Sequence, residues 1–391
     1  MNRHADGPFE NEVKVLRNLA AYPHPHIVAS LASWASDDMR YILYPLAKGN
    51  LRSLFSQPPP AFDAAGIMWL LRQLEGLAGA VGHVHNMGNL GTGRKIRSKI
   101  GFHHDIKPEN ILLFEDVENL EMPKLMLTDF GSGRVNEDSP DNLSHKTDNY
   151  RGTLTYAGPD MHMYGHVSRP FDMWALGCVF LEVLIWMCVP GADQAVEEHA
   201  RMRLDDPELP TGRGAMDDTY WYKSFQSSGP TYRLKPSVLY AFSSLEDHCH
   251  GMEVFQSVLR LVKRLLVIDP PARLKARDLE YELHLLKEKA KMELERDAEL
   301  DLRLANKSRG IGIGDASGKA PRLVLSLRPS RIPLPPSPVG SFPSTISLSE
   351  DSEDSMPELL IRPPSPRAVL LERRHRFSTD SLLEINAERE G

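Results

Sequence analysis

In the first twenty-one positions the apolar residues fall at Phe9, Val13, Leu16 and Leu19, a three-to-four spacing that predicts an amphipathic helix over residues 9–21. The pattern then changes to HIVASLASWASDDMRYILYPL, which reads as two strands around the polar turn Ser36-Asp37-Asp38. Over residues 62–85, Ile67, Leu70, Leu71, Leu74, Leu77, Val81 and Val84 share one helical face, so a long helix with its stripe in a core is predicted. Two short apolar runs, ILLF at 111–114 and KLMLT at 124–128, predict strands joined by a turn. The run DMWALGCVFLEVLIWMCVPG, residues 172–191, is nearly long enough to cross a bilayer. Glu182 breaks it, Asp172 offers an N-cap and Pro190-Gly191 stops it, so the expectation is a fully buried helix. The segment GMEVFQSVLRLVKRLLVIDP, closed by Pro270, makes the second half of the chain mainly α.

Polar stretches divide these elements. Residues 132–160 are rich in Ser, Asp, Asn and Thr and too long for an ordinary connection, which predicts a functional loop. Residues 276–306 are a charged helical pattern with Leu every few positions. Beyond Lys307 the composition turns to Pro, Ser, Arg and acidic clusters such as SLSEDSEDSMPE, which predicts disorder for 308–391. PLPPSPV and RPPSPRA have the form of polyproline ligands for adaptor proteins, although an extended solvated linker is the commoner meaning of such a pattern. Ser337 and Ser365, each followed by Pro, and Ser349 and Ser352, each followed by two acids, are expected phosphorylation sites.

With 391 residues and 41% hydrophobic positions, the chain can bury a large core beside that tail. A net charge of -7 excludes a general nucleic-acid binder, which needs a basic stripe to displace counterions. The three scattered cysteines, Cys178, Cys188 and Cys249, do not make a disulfide framework and suit a reducing interior. The N-terminus MNRHADGPFENEV has no apolar signal region. The expectation is an intracellular protein, cytoplasmic or nuclear, without a membrane span.

Chemistry concentrates in GFHHDIKPENILLFEDVENLEMPKLMLTDFGSG, residues 101–133. A lone Asp in a loop is usually a turn former and a lone Asn a cap. Here an Asp, a Lys two residues on and an Asn five residues on precede a strand, a turn, a second strand and Asp-Phe-Gly. Two strands joined by a turn bring the chain back, so Asp129 comes near Asn110 and Asp105. A carboxylate and an amide oxygen are hard ligands suited to magnesium shared with phosphates. Asp105 is then left to receive a hydroxyl proton.

These residues resemble the eukaryotic protein kinase family, through several motifs in the family's order. His103-His104-Asp105 through Asn110 resembles the catalytic loop, which implies Asp105 as base and Asn110 as magnesium ligand. Lys107 is similar to the catalytic-loop lysine of the Ser/Thr type. Asp129-Phe130-Gly131 resembles the magnesium-binding motif, and Thr153 the threonine that braces the catalytic Asp and Lys. Gly158-Pro159-Asp160 stands where the family has Ala-Pro-Glu, and Arg273 resembles the arginine paired with that acid. Asp172, Trp174 and Gly177 match the start of the central buried helix, and Glu12 the small-lobe helix glutamate. YILYPLAKGNL resembles the hinge, which implies adenine at the backbone of Tyr44 and Leu46 and above Leu112.

The resemblance runs from Glu12 to Arg273, with departures. His104 replaces the usual arginine, which puts control by a phosphorylated loop in doubt. Asp160 is one methylene shorter than the family's Glu, which is expected to loosen its pair with Arg273. Only eleven residues precede Glu12, and no lysine or Gly-rich loop is among them. GNLGTGRKIRSK at 88–99 lies in the wrong place to substitute and reads as a solvated insertion, with Arg94, Lys95, Arg97 and Lys99 as its only draw for acidic substrates. His248-Cys249-His250 is assigned no metal, because adjacent residues rarely converge on one ion.

The resemblance implies an α+β, two-lobed protein-kinase fold with a truncated small lobe, a mainly helical large lobe and a disordered C-terminal tail. The division expected is a partial small lobe and hinge at 1–50, a large catalytic lobe at 51–280, a charged helical extension at 281–307 and the Pro/Ser-rich tail at 308–391. The activity implied is transfer of the ATP γ-phosphate, with Mg2+, to Ser or Thr hydroxyls of a protein substrate by an N-terminally incomplete chain. The alternative is a pseudokinase scaffold that binds partners with little or no catalysis.

Overall fold

The computed structural model describes residues 7–36, 39–86, 99–116, 119–132, 134–137, 152–206, 217–227 and 229–309. The disorder, polyproline and phosphorylation expectations for the tail beyond Arg309, the insertion at 88–98 and the loop at 138–151 lie outside the described residues.

Helix α1 (Gly7–Ala21) buries Val13, Leu16 and Leu19 of the predicted face, and Val15 beside them. Strands β1 (Ala32–Ser36) and β2 (Met39–Leu43) form the expected antiparallel pair, with Trp34 stacked on Tyr41 at 5.2 Å. Every residue of β1 is exposed, while its partner β2 is half-buried and packs Ile42 against the core. The short β3 (Gly49–Asn50) leads into α2 (Leu51–Leu54), which Asn50 caps by accepting the Ser53 N–H at 3.0 Å. The Ser53 hydroxyl in turn accepts from the Asn50 N–H, which closes a reciprocal cap.

Helix α3 (Ala64–His85) carries the predicted stripe into the core, starting at Asp63, which accepts the Gly66 N–H at 2.9 Å. Strands β5 (Ile111–Asp116) and β6 (Asn119–Leu127) return the chain on itself and form a three-stranded sheet in the order β3-β5-β6. A second pair joins β4 (Lys99–Phe102) to β7 (Arg134–Glu137). The short α4 (Asp160–Tyr164) precedes α5 (Arg169–Cys188), the central helix. Around α5 lie α3, α6 (Ala192–Leu204), α7 (Pro236–His248) and α8 (Glu253–Leu265), so it is long and apolar enough to span a bilayer yet is enclosed by protein. Trp69 and Trp186 meet edge to face in this core at 6.3 Å, and their indole N–H groups reach the carbonyls of Pro123 and Gln57.

The expected start of α5 is corrected. It begins at Arg169 after Ser168, because Pro170 is preset for a first turn. Asp172 is therefore inside the helix and serves another element. The second half is mainly helical as expected, but it contains a hairpin of β8 (Trp221–Gln226) and β9 (Gly229–Leu234) that the sequence pattern did not predict. Helix α9 (Ala276–Arg309) runs as one piece and packs along α3, where Glu75 holds Lys287 at 2.6 Å and His284 at 2.9 Å.

Candidate active site

The site begins with Asp172 of α5. Its carboxylate is fully buried and accepts the His103 N–H at 3.0 Å, the His104 N–H at 2.8 Å and the His85 ring at 2.9 Å. Burial alone would raise its pKa, but the His85 hydrogen bond and the neighbouring histidines outweigh that and hold it well below the carboxylate range. An α5 side chain thus pins the backbone just before Asp105. His104 takes a left-handed φ of 65°, which costs about 1 kcal/mol outside glycine. Its ring stacks on Phe102 at 5.2 Å and meets the edge of Phe171, so the family's arginine position is filled by an aromatic packing residue.

The His103 ring joins the two halves of the motif. Its Nδ1 accepts the Asp105 N–H at 3.3 Å, so Nε2 carries the proton and donates to the Thr128 carbonyl at 2.9 Å. The same ring packs 4.9 Å from the buried Phe130. The loop carrying Asp105 and the strand end carrying Asp129 are therefore one unit.

Around Asp105 three expected residues converge. The Thr153 N–H reaches Oδ1 at 2.9 Å, while Lys107 Nζ at 2.9 Å and Asn110 Nδ2 at 3.1 Å reach Oδ2. Lys107 also donates to Thr153 Oγ1 at 2.6 Å, and Asn110 to the Asp105 carbonyl at 2.8 Å. Burial pushes the Asp105 pKa up, but Lys107 and the Thr153 N–H more than offset it and leave the group below its ordinary value. Asp105 is an anion at neutral pH, held at a fixed angle.

Asn110 and Asp129 are brought together through the backbone, since the Thr128 N–H donates to the Asn110 carbonyl at 2.9 Å. With its amide N–H2 committed to Asp105, Asn110 has its Oδ1 as an atom that could hold a cation. Asp129 has a left-handed φ of 66° and accepts the Gly131 N–H at 3.3 Å. Helix α1, with Glu12 buried on it, packs against the turn Phe130–Ser132. Tyr44 and Leu46 follow β2 on the way to β3. The Lys48 N–H donates to the Leu113 carbonyl at 2.8 Å, and Asn50 pairs with Leu112, so the expected hinge runs beside Leu112. The Leu46 side chain is 64% exposed and Tyr44 is half-buried against the core.

The expected loosening at Asp160 is corrected. Arg273 grips both carboxylate oxygens, at 2.9 and 2.8 Å, and also donates to the carbonyls of Val267, Ile268 and Pro170. Asp160 sits in the first turn of α4, close enough for the shorter side chain to reach. Elsewhere, His248 turns to its own helix at the Ser244 carbonyl, and Cys249 is buried against Cys188, so the three adjacent residues diverge.

Sequence reasoning missed a buried network beneath Thr153. Glu182 of α5 accepts from the hydroxyls of Tyr156 at 3.0 Å and Tyr220 at 2.9 Å. Arg52 Nη2 lies 3.4 Å from Glu182 and also binds the Tyr156 hydroxyl, while its Nε holds Glu109 of the catalytic loop at 3.0 Å. Arg203 approaches Glu182 to 3.7 Å and lies 4.0 Å over the Tyr220 ring. Burial, then the Glu182 charge, raise the Tyr156 hydroxyl, which stays a proton donor. Thr155 adds a bond to Asp218 at 2.7 Å, so the turn after Thr153 is fixed from below and from the side. The only sequence signal was Glu182 itself, an acid inside an apolar run.

The sequence profile described as Protein kinase domain matches residues 2–282. The chain is 26% identical over 161 residues to 3-phosphoinositide-dependent protein kinase 1 of Rattus norvegicus, covering 41% of this chain and 25% of that protein. It is 24% identical over 267 residues to a meiosis induction protein kinase of Saccharomyces cerevisiae, covering 62% and 36%. It is 28% identical over 180 residues to a probable leucine-rich repeat receptor-like serine/threonine-protein kinase of Arabidopsis thaliana, covering 45% and 15%. The chain thus spans well under half the length of these relatives. With the profile running through both the catalytic loop and the Asp160–Arg273 pair, this chain belongs to the eukaryotic protein kinase family.

Proposed function

We propose that the chain is a protein serine/threonine kinase that uses ATP and Mg2+. The observation that carries this is the convergence of Lys107, Asn110 and Thr153 on the Asp105 carboxylate, with Asp129 drawn alongside by the Thr128–Asn110 bond. Asp105, ionised and oriented, accepts the proton of a Ser or Thr hydroxyl. Lys107 carries its positive charge to where the transferred phosphoryl group gathers negative charge. Asn110 Oδ1 and the Asp129 carboxylate are hard oxygen donors of the kind magnesium selects, and these two would hold it. When bound, the metal neutralises phosphate charge. Thr153 keeps Asp105 and Lys107 in register, and the backbone beside Leu112 offers Tyr44 and Leu46 to the adenine. Protein substrates follow from the family.

The second reading is a binding scaffold that keeps this lobe with little or no catalysis. Positioning dominates phosphoryl transfer, and each 1.4 kcal/mol of lost stabilisation slows it about tenfold. Removing the Asp105 carboxylate is therefore expected to slow transfer by at least about tenfold. The test is radiolabelled phosphate transfer from ATP to generic Ser/Thr substrates by the full chain and by Asp105→Asn. Transfer that the substitution abolishes supports the enzyme, whereas no transfer above the variant's background makes the scaffold the better reading.

A further inference from the structure

The β8–β9 hairpin takes no part in the catalytic arrangement, yet it is fastened to the segment that follows Thr153. Trp221, at its root, donates its indole N–H to the Ala157 carbonyl at 2.8 Å and packs 5.2 Å from the His162 ring. Tyr232 packs 5.6 Å from Trp221 and donates its hydroxyl to the His162 carbonyl at 3.0 Å. The two-residue period of a strand puts Trp221, Lys223 and Phe225 on one face, opposite Leu234, Tyr232 and Pro230. Protein covers the root of that face, but Phe225 near its tip is 77% exposed. The Lys223 ammonium lies 5.0 Å from the Phe225 ring and 5.8 Å from the Tyr232 ring. Among the described residues neither Lys223 nor Arg233, on the opposite face, is paired with a carboxylate. No acid occurs in the sequence between Asp218 and Glu246, although the chain holds 53 Asp and Glu.

An exposed ring and a cation in a stretch of chain without acids fit an acidic peptide that also carries apolar side chains. The chain contains such a segment. LSEDSEDSMPELLI, residues 348–361, has Glu350, Asp351, Glu353, Asp354 and Glu358 beside Met356, Leu359, Leu360 and Ile361. No Lys or Arg occurs between Arg331 and Arg362. Reach does not limit it. About 40 residues separate Arg309 from this segment, a contour of roughly 130 Å at about 3.4 Å per residue, against a diameter of roughly 50 Å for a domain of this size.

We propose that the hairpin tip, through Lys223 and Phe225 with Arg233 adding to the positive field, docks residues 348–361 of the same chain. The hairpin is rooted through Trp221 and Tyr232 on the segment that follows Thr153, so a chain segment bound along it competes with protein substrates. That consequence rests on the kinase reading; the contact itself does not.

The test uses the full chain with p-benzoylphenylalanine in place of Phe225, irradiated at low salt, digested and mapped by mass spectrometry. A cross-link into residues 348–361 within a single chain is expected, with a yield that falls on the order of fivefold in K223E and again in high salt. The same label at exposed Leu239 of α7 is expected to leave that segment uncaptured. Cross-links to other segments, cross-links between two chains, no cross-link at all, or a yield indifferent to K223E would each overturn the proposal. Because the readout is covalent capture, an inactive chain does not affect it.

Discussion

Asp105 carries opposing influences that can be separated by substitution. Burial works against its charge, and Lys107 with the Thr153 N–H work for it. Lys107→Ala should therefore raise the Asp105 pKa, as followed by carbon NMR of the carboxyl. An unmoved titration would show that Lys107 is not its counter-charge. Asp172 is the second test at this scale. Its folded pKa is depressed, so its contribution to stability is present above the unfolded value of about 3.9 and is lost as pH falls through the lower folded value. Asp172→Asn turns an amide N–H2 toward backbone donors and should cost about 3 kcal/mol at pH 7. In urea unfolding the variant should also lose less stability than the parent on acidification toward pH 3. His24 acts in the same sense in a higher pH window. Burial and the nearby His83, His26 and Lys124 lower it to about 4, so between its unfolded value near 6.5 and pH 4 the unfolded chain binds the extra proton. Stability should fall as pH drops across that window, and His24→Gln should flatten the slope.

Elements are joined at a few close approaches, and these decide which substitutions matter. Arg273 anchors α4 to the turn before α9 through a buried bidentate pair, and Arg273→Ala leaves Asp160 charged and alone, a loss of about 3 to 5 kcal/mol. Thermal unfolding measures it, and an unchanged midpoint would contradict the claim that the pair holds α4. On α3, a Cβ at Gly76 would collide with the His26 ring, which is fixed by a 2.7 Å bond to the Leu125 carbonyl. A Cβ at Gly79 would instead meet Glu280 Oε1 at 2.8 Å and His24 Nε2 at 3.1 Å, and the glutamate can swing away. Gly76→Ala is thus expected to destabilise by about 1 to 3 kcal/mol and Gly79→Ala by less. The main helices and the β5-β6 return are legible in the sequence because apolar period and turn signals agree there. The β8–β9 hairpin is not, since WYKSFQ mixes polar and aromatic residues and Pro230 argues against a strand. The start of α5 also escapes a reading that takes Asp172 for a cap, because tertiary contact with His103 and His104 decides its place.

At the scale of the whole molecule, one helix sets the site. Through Asp172 the central α5 positions the loop before Asp105, and through Glu182 it positions the turn after Thr153. Asp105, Lys107, Asn110 and Asp129 are legible because their offsets surround two strand signals. The Glu182 network is not, because its partners come from positions 52, 156, 203 and 220 and meet only in the folded core. In the proposed function, Asn110 and Asp129 form the cation side of a nucleotide site, distinct from the base at Asp105. The most direct measurement is calorimetric titration of ATP into the full chain with and without Mg2+, alongside Asp129→Ala and Asp105→Asn. Binding is expected to require Mg2+, to fall at least about tenfold in Asp129→Ala and to survive in Asp105→Asn. Nucleotide binding indifferent to Mg2+ or to Asp129→Ala, or no binding at all, would contradict it.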